Sequence, residues 1–189
     1  MSSPSRLIGL TGRAGAGKDT AFRFIAEETP AERRAFADLL KVSAMRSLGL
    51  DKDTADDFKN RAVVTVRFGS NEPIVELSGR KFLQLFGTEA HRDVFGKDFW
   101  IERALDNLTP GVVTVVTDVR LDNEADAIHA LGGEVWHIQR PGRRFDVSHV
   151  TEQGISRDRI DRWIENSASL NDFRVEMRRE VGDLLSCLF

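Results

Sequence analysis

The apolar and polar positions of the chain follow two alternating periods, which predict strands separated by helices. The apolar residues 7–10 predict a first strand, and the amphipathic stretch from residue 18 to about residue 28 predicts a helix that ends before Pro30. Residues 112–117 are apolar enough for the middle of a parallel sheet. Residues 134–138 predict a further strand after them.

The region between these strands predicts shorter elements. Residues 34–37 indicate a short second strand, and Asp38 is placed to cap the helix that follows. The two β-rich runs within residues 63–77 flank a turn sequence and predict a β-hairpin. Ser78 and Asp98 are expected to start two more helices, the second of which reaches residue 108.

The last third of the chain completes an alternating pattern. A helix is predicted at 123–131, closed by a glycine pair, with a last strand at 159–164 and a last helix at 170–188. Strands that alternate with helices predict an α/β fold with a mainly parallel, five-stranded sheet flanked by helices. The length suits one domain over residues 1–189, with its ligand site at the carboxyl ends of the strands.

A glycine-rich run lies between the first predicted strand and helix, which is the context of a phosphate-binding P-loop. Its glycines allow the backbone N–H groups to converge on an anion, the helix N-terminus adds positive potential, and the lysine reaches the outer phosphates. Asp19 stands where the usual pattern has Ser or Thr, so we expect Asp19 to point away from the phosphates and Thr20 to meet Mg²⁺. The residues expected to bind ATP in this loop are Gly12, Arg13, Ala14, Gly15, Ala16, Gly17, Lys18, Asp19 and Thr20.

Two further groups of residues follow strands of the predicted sheet. Asp118 ends the strongest apolar run, where a carboxylate beside a P-loop holds Mg²⁺; the alternative is a helix cap. Two roles are open for Arg120, which are a contact with a phosphate and a surface ion pair. Arg140, Arg143 and Arg144 surround a flexible turn, and we interpret this loop as a lid that brings positive charge to the moving phosphoryl group, with a solvated basic loop as the alternative.

Composition excludes several classes of protein. The formal net charge of −3 does not favour direct binding to nucleic acid, and one cysteine excludes an internal disulfide. The N-terminus lacks an apolar signal region and no run is long enough to span a bilayer, so a cytoplasmic protein is expected. A homodimer is left open.

Ordered sequence blocks resemble the deoxynucleoside monophosphate kinases of tailed phages, a type within the P-loop nucleoside monophosphate kinase superfamily. Besides the loop at 12–20, the blocks are Phe-Ala-Asp-Leu-Leu-Lys at 36–41, Leu-Gln-Leu-Phe-Gly-Thr-Glu at 83–89, Asp-Phe-Trp-Ile at 98–101, Thr-Asp-Val-Arg-Leu-Asp-Asn-Glu-Ala at 117–125, Gly-Gly at 132–133, Ile-Gln-Arg-Pro-Gly at 138–142 and His-Val-Thr-Glu at 149–152.

The resemblance implies a kinase that uses ATP and Mg²⁺ to convert a deoxynucleoside monophosphate into the diphosphate for DNA precursor synthesis, in the host cytoplasm if a phage encodes it. It implies a monophosphate-binding region at 38–100 and a lid at 140–158. The resemblance implies that the catalytic residues are Lys18, Arg140 and Arg144. It also implies that Arg143 binds ATP and that Thr20 and Asp118 bind the metal. The residues it gives to the monophosphate are Asp38, Lys41, Arg92, Trp100 and Arg120.

Two alternatives stay open beside this one. A P-loop kinase of another small acceptor, such as phosphomevalonate or dephospho-coenzyme A, would share the loop. A nucleotide-dependent regulatory module, such as a GTPase-like switch, is weakened because no Asn-Lys-x-Asp sequence is present. The hairpin at 63–77 matches nothing in the family pattern, so the preferred base is open.

Overall fold

The computed structural model describes residues 6–61, 63–67, 74–141 and 154–186. The chain forms two compact units, one made of Met1–Ala35 with Leu105–Phe189 and the other of Phe36–Ala104. In chain order the strands and helices are β1 (Arg6–Thr11), α1 (Lys18–Glu28), β2 (Ala31–Arg34), α2 (Phe36–Ser47), α3 (Ala55–Asn60), β3 (Val64–Arg67), β4 (Ile74–Leu77), α4 (Gly79–Gly87), α5 (Asp93–Phe95), α6 (Phe99–Leu105), β5 (Val113–Val116), α7 (Asp122–Ala130), β6 (Glu134–Gln139), β7 (Arg162–Glu165) and α8 (Leu170–Ser186).

The first unit is built on a five-stranded parallel sheet with the strand order β2-β5-β1-β6-β7. β1 lies in the centre, where Ile8 pairs with Val115 of β5 on one side and with Glu134 of β6 on the other. Because all strands are parallel, their carboxyl ends meet at one edge of the sheet. The predicted α/β fold with a five-stranded sheet is confirmed.

The core of the first unit lies between this sheet and the helices α1 and α8. Leu10 of β1 and Trp136 of β6 are fully buried on that face, and the rings of Phe24 and Phe173 meet edge to face at 5.8 Å between centroids. On the other face α7 approaches so closely that a Cβ at Gly9 would lie 2.5 Å from Ile128 Cδ1. Helices on both faces explain why β5 is buried along its whole length.

The second unit has its own apolar cluster, formed by α2, α3 and α4 beside the two-stranded sheet of β3 and β4. Met45 and Phe82 belong to this cluster, and Ser78 caps α4 by accepting a hydrogen bond from Lys81 N at 3.2 Å. The predicted hairpin is confirmed by the antiparallel pairing of β3 with β4; its turn lies outside the described residues. A π-helical turn, Thr88–Arg92, follows α4.

Two boundaries near the start of the second unit were predicted wrongly. The second strand is Ala31–Arg34, three residues earlier than expected, because its partner β5 fixes the register from Ala31↔Val113 to Arg34↔Val116. The next helix starts at Phe36, two residues before Asp38, and the side chain of Phe36 is buried. Asp38 therefore lies in the first turn of the helix and is not its cap.

Two boundaries in the first unit also differ. The helix expected to reach residue 108 ends at Leu105, and Asn107 then takes a left-handed conformation with φ 53°, which a helix does not tolerate. The last strand is Arg162–Glu165 because a 3-10 turn at Arg157–Arg159 precedes it. Across the described residues, no helix combines the length and the apolar character needed to cross a membrane.

Candidate active site

The glycine loop joins the carboxyl end of β1 to the first residue of α1, as the sequence predicts. Gly12, Gly15 and Gly17 have φ values of 135°, 73° and 108°, a region that side chains other than glycine rarely adopt. A Cβ at Gly12 would overlap the carbonyl oxygen of Ile138 in β6. The loop therefore needs glycine both for its conformation and for its close approach to the neighbouring strand.

Lys18 turns its side chain back over this loop. Its Nζ donates to the carbonyl oxygen of Gly12 at 2.8 Å and to that of Arg13 at 3.2 Å. Burial lowers the pKa of Lys18 below its usual 10.5 and the charge of Arg120 lowers it further, whereas Asp19 and Asp118 raise it. Lys18, Arg120 and Asp118 therefore share one electrostatic neighbourhood at the carboxyl edge of the sheet.

Asp118 follows β5 in a segment that is tied to both neighbouring strands. The residue before it, Thr117, donates its N–H to Arg34 O at 3.0 Å, and the residue after it, Val119, donates to Leu10 O at 3.2 Å. These bonds hold the half-buried Asp118 where β1 and β5 end.

The oxygen atoms of Asp118 and Thr20 are the type of ligand that Mg²⁺ prefers, so the residues present fit this ion. Thr20 lies in the first turn of α1, and its Oγ1 accepts a hydrogen bond from Arg23 Nη2 at 3.2 Å. Within the described part of the chain, no three His, Cys, Asp or Glu side chains group into a metal site of their own.

Asp19 and Arg120 both face solvent. Asp19 is 88% exposed and lies 3.9 Å from Arg33 Nε. The backbone of Arg120 is fixed because its N–H donates to the buried Glu124 carboxylate at 2.7 Å, while its side chain is exposed. The same carboxylate oxygen accepts from Leu121 N at 3.1 Å and thereby holds the start of α7.

The predicted lid starts at the carboxyl end of β6, where Arg140 is exposed. Its neighbour Gln139 is anchored, because its carbonyl oxygen accepts a hydrogen bond from Asn166 N at 2.7 Å. Arg143 and Arg144 lie outside the described residues.

Two residues beside the loop were not predicted as site residues. Asn166, directly after β7, donates its side-chain amide to Ala16 O at 2.8 Å. His137, on β6, pairs in register with Thr11 at the end of β1. Burial lowers the pKa of His137 below its usual 6.5, and the charges of Lys18, Arg13 and Arg157 lower it further.

A signal for both residues is present in the sequence. Each lies at or near the carboxyl end of a strand that the pattern predicts, which is the edge where an α/β fold places its ligands.

The other four predicted substrate residues belong to the second unit. Asp38 and Lys41 lie on α2, Arg92 ends the π-helical turn, and Trp100 lies on α6. Trp100 is 4% exposed, and its indole N–H donates to Gly87 O at 3.1 Å. Its ring centroid lies 4.9 Å from that of His91, so Trp100 is the buried part of an aromatic cluster.

Comparison with known proteins gives a consistent family. Residues 43–177 match the family model described as deoxynucleotide monophosphate kinase. A candidate deoxynucleotide monophosphate kinase of Acanthamoeba polyphaga mimivirus is 31% identical over 199 residues, covering 96% of this chain and 95% of the viral protein. The deoxynucleotide monophosphate kinase of Enterobacteria phage T4 is 30% identical over 127 residues, covering 62% of this chain and 53% of the phage protein.

Solved structures show the same fold at low sequence identity. Dephospho-CoA kinase from Campylobacter jejuni superposes with a TM-score of 0.53 at 16% identity, covering 97% of this chain and 98% of that chain. TT1252 from Thermus thermophilus superposes with a TM-score of 0.52, also at 16% identity, covering 99% of this chain and 100% of that chain.

Proposed function

The chain belongs to the deoxynucleotide monophosphate kinase family, and we propose on this basis that it transfers the γ-phosphoryl group of ATP to a deoxynucleoside monophosphate. The products are ADP and the deoxynucleoside diphosphate, a precursor for DNA synthesis. The observation that carries the proposal at the level of residues is the glycine loop, over which Lys18 lies with its Nζ 2.8 Å from Gly12 O.

The loop is the proposed binding site for the phosphates of ATP. Backbone N–H groups of residues 12–20 and the N-terminus of α1 supply positive potential from fixed dipoles, without an ionised side chain. Lys18 adds one ammonium, which exchanges the carbonyl oxygens of Gly12 and Arg13 for phosphate oxygens when the nucleotide binds. Burial and the charge of Arg120 lower the pKa of Lys18, and an anion bound beside the ammonium is expected to raise this pKa again.

Thr20 and Asp118 are the residues proposed to hold Mg²⁺. When bound, this ion neutralises charge on the phosphate oxygens during transfer. Asp118 is suited to the task because the segment containing it is tied by backbone hydrogen bonds to the ends of β1 and β2.

The proposed chemistry needs no strong general base. The acceptor is a phosphate oxygen that is already anionic, so the chain has to align the two substrates and neutralise charge. Arg140, Arg143 and Arg144 are proposed to bring positive charge to the moving phosphoryl group from a lid at 140–158 and to exclude water from it.

Within the second unit, the residues proposed to bind the acceptor are Asp38, Lys41, Arg92 and Trp100 of the region 38–100. The basic side chains suit the monophosphate. The indole N–H of Trp100 already donates to Gly87 O, so this N–H is not proposed to bind the acceptor directly. The proposed contribution of Trp100 is to support the aromatic cluster around His91.

An ADP-release assay with a panel of acceptors tests the proposal. ATP and Mg²⁺ are combined with each of the four deoxynucleoside monophosphates, with phosphomevalonate or with dephospho-coenzyme A. We expect ADP release to depend on at least one deoxynucleoside monophosphate. Release that depends only on one of the other acceptors would identify a different kinase, and ATP consumption that no acceptor stimulates would favour a regulatory module.

A further inference from the structure

We infer that Asn166 is a positioning residue that orients one backbone N–H of the glycine loop toward the phosphates. Asn166 follows β7, far in sequence from the loop that it contacts. The inference rests on the proposed function, since it concerns the same phosphate site. Asn166 lies outside the glycine loop and outside the sequence blocks shared with the family.

The contacts of Asn166 connect two segments that border the site. Its side-chain Nδ2 donates to Ala16 O in the glycine loop at 2.8 Å. Its backbone N–H donates to Gln139 O at 2.7 Å, one residue before the proposed lid arginine Arg140. The residue is 9% exposed, so the amide group is held in place by its surroundings.

The hydrogen bond to Ala16 fixes the orientation of a peptide group. The peptide bond between Ala16 and Gly17 is planar and trans, so its C=O and N–H point in opposite directions. When the carbonyl oxygen of Ala16 is held toward Asn166, the N–H of Gly17 is turned away from Asn166. This is the side on which an anion in the loop would collect convergent N–H donors.

The conformation of Gly17 fits this arrangement. Gly17 has a φ of 108°, and a Cβ at this position would lie 2.6 Å from Asn166 Nδ2. The same Cβ would lie 3.5 Å from Phe173 Cε1 of α8. The glycine therefore leaves room for the asparagine amide, and the amide in turn holds the peptide before the glycine.

The donor chemistry of an amide is what this position requires. The NH₂ group of asparagine donates to a carbonyl oxygen, whereas an aspartate carboxylate of nearly the same shape only accepts. An aspartate would also bring a negative charge next to a loop that binds an anion. A residue that served packing alone would leave the phosphate affinity of the folded protein unchanged when the donor is removed, so the two roles predict different results for one substitution.

Binding of inorganic tripolyphosphate with Mg²⁺ to the full-length protein tests the inference, because this probe has no base or sugar. The variants are Asn166→Ala and Asn166→Asp, and Ser167→Ala is the matched control at the next, exposed position. Calorimetry should give affinities in the order wild type, Asn166→Ala, Asn166→Asp, with a loss of about tenfold for Asn166→Ala. The control should stay near the wild-type affinity.

Steady-state kinetics supply a readout that a purely structural role would not move. In Asn166→Ala the KM for ATP should rise by about the same factor, while the KM for the deoxynucleoside monophosphate stays near that of the wild type. Equal tripolyphosphate affinity of wild type and Asn166→Ala would overturn the inference while leaving the proposed function intact. If Asn166→Ala does not fold, the affinity of Asn166→Asp for tripolyphosphate is compared with that of the wild type. Equal affinities would overturn the inference.

A wild-type protein that binds neither tripolyphosphate nor ATP contradicts the proposed function itself, and this inference falls with it.

Discussion

The ammonium of Lys18 lies 2.8 Å from the carbonyl oxygen of Gly12, six residues earlier in the chain. The lysine is thus held over the glycine loop by the loop's own backbone. Its second bond, to Arg13 O at 3.2 Å, restricts it further. The cation is therefore already positioned where the outer phosphates of a nucleotide are proposed to bind, and little reorganisation is required of it.

Replacement of Lys18 by alanine should abolish most turnover. The variant loses the single ammonium over the loop, and the expected decrease in kcat is about 100-fold or more. Acceptor-dependent ADP release measures the effect, and circular dichroism checks that the fold is intact. Arg178→Ala on α8, where Arg178 is 63% exposed and pairs with Glu28, is the control. A folded Lys18→Ala variant that turns over near the wild-type rate would show that the loop is not the phosphate site.

The arginines of the proposed lid should affect the chemical step more than the binding of ATP. Arg140→Ala and Arg144→Ala remove charge that is brought to the transferring group, so kcat should fall in each variant and most in the double variant. The Kd for ATP should change less than kcat. Arg179→Ala on α8, where Arg179 is 63% exposed in ion pairs with Glu176 and Glu180, is the control. Unchanged kcat in both single variants and in the double variant would reject the lid.

His137 should make the free energy of unfolding depend on pH. Its pKa in the folded protein is lowered by burial and by the charges of Lys18, Arg13 and Arg157, while the unfolded chain keeps the usual 6.5. Below pH 6.5 the unfolded state therefore binds more protons than the folded state, and stability falls as the pH drops from 6.5 toward the folded pKa. Well above pH 6.5 the ring is neutral in both the folded and the unfolded state, so His137 no longer makes stability depend on pH.

Urea unfolding of the wild type and His137→Gln at pH 7.5 and 5.5 measures this effect. The wild type should lose more stability than the variant between the two pH values, because only the wild type carries the titrating ring. An equal loss in both proteins would show that His137 does not have a lowered pKa.

Two glycines in helices should respond to alanine in opposite directions. A Cβ at Gly79, the first residue of α4, would overlap the carbonyl oxygen of Phe58 and lie 2.7 Å from its carbonyl carbon. Gly79→Ala should therefore destabilise the protein by about 1–3 kcal/mol. Gly182 in α8 has no atom within 4 Å of such a Cβ, so Gly182→Ala should stabilise by about 0.5–1 kcal/mol. Thermal unfolding of both variants gives the signs, and shifts in the same direction would contradict the packing described here.

The elements that the sequence predicted well are those with strong local signals. The glycine loop and α1 follow from glycine spacing and an amphipathic period, and Ser78 indicated the start of α4 through its capping chemistry. β5 was recognisable because both of its faces are buried, which requires a continuous apolar run.

The elements that were misplaced depend on partners that are distant in sequence. β2 has the sequence Ala-Glu-Arg-Arg, and only its register with β5 makes it a strand. Asn166 is similar, because its contact with Ala16 spans 150 residues, and the strand pattern indicates only that Asn166 lies near the carboxyl edge of the sheet. The sheet brings such residues together at its carboxyl edge, and periodicity along the chain does not encode that proximity.

Separation of the products formed from ATP, Mg²⁺ and an equimolar mixture of deoxynucleoside monophosphates tests the central claim most directly. With a γ-labelled ATP, the wild type should release one ADP for each labelled deoxynucleoside diphosphate, and Lys18→Ala should form neither at a comparable rate. Release of the label as inorganic phosphate, with no labelled diphosphate, would contradict the account.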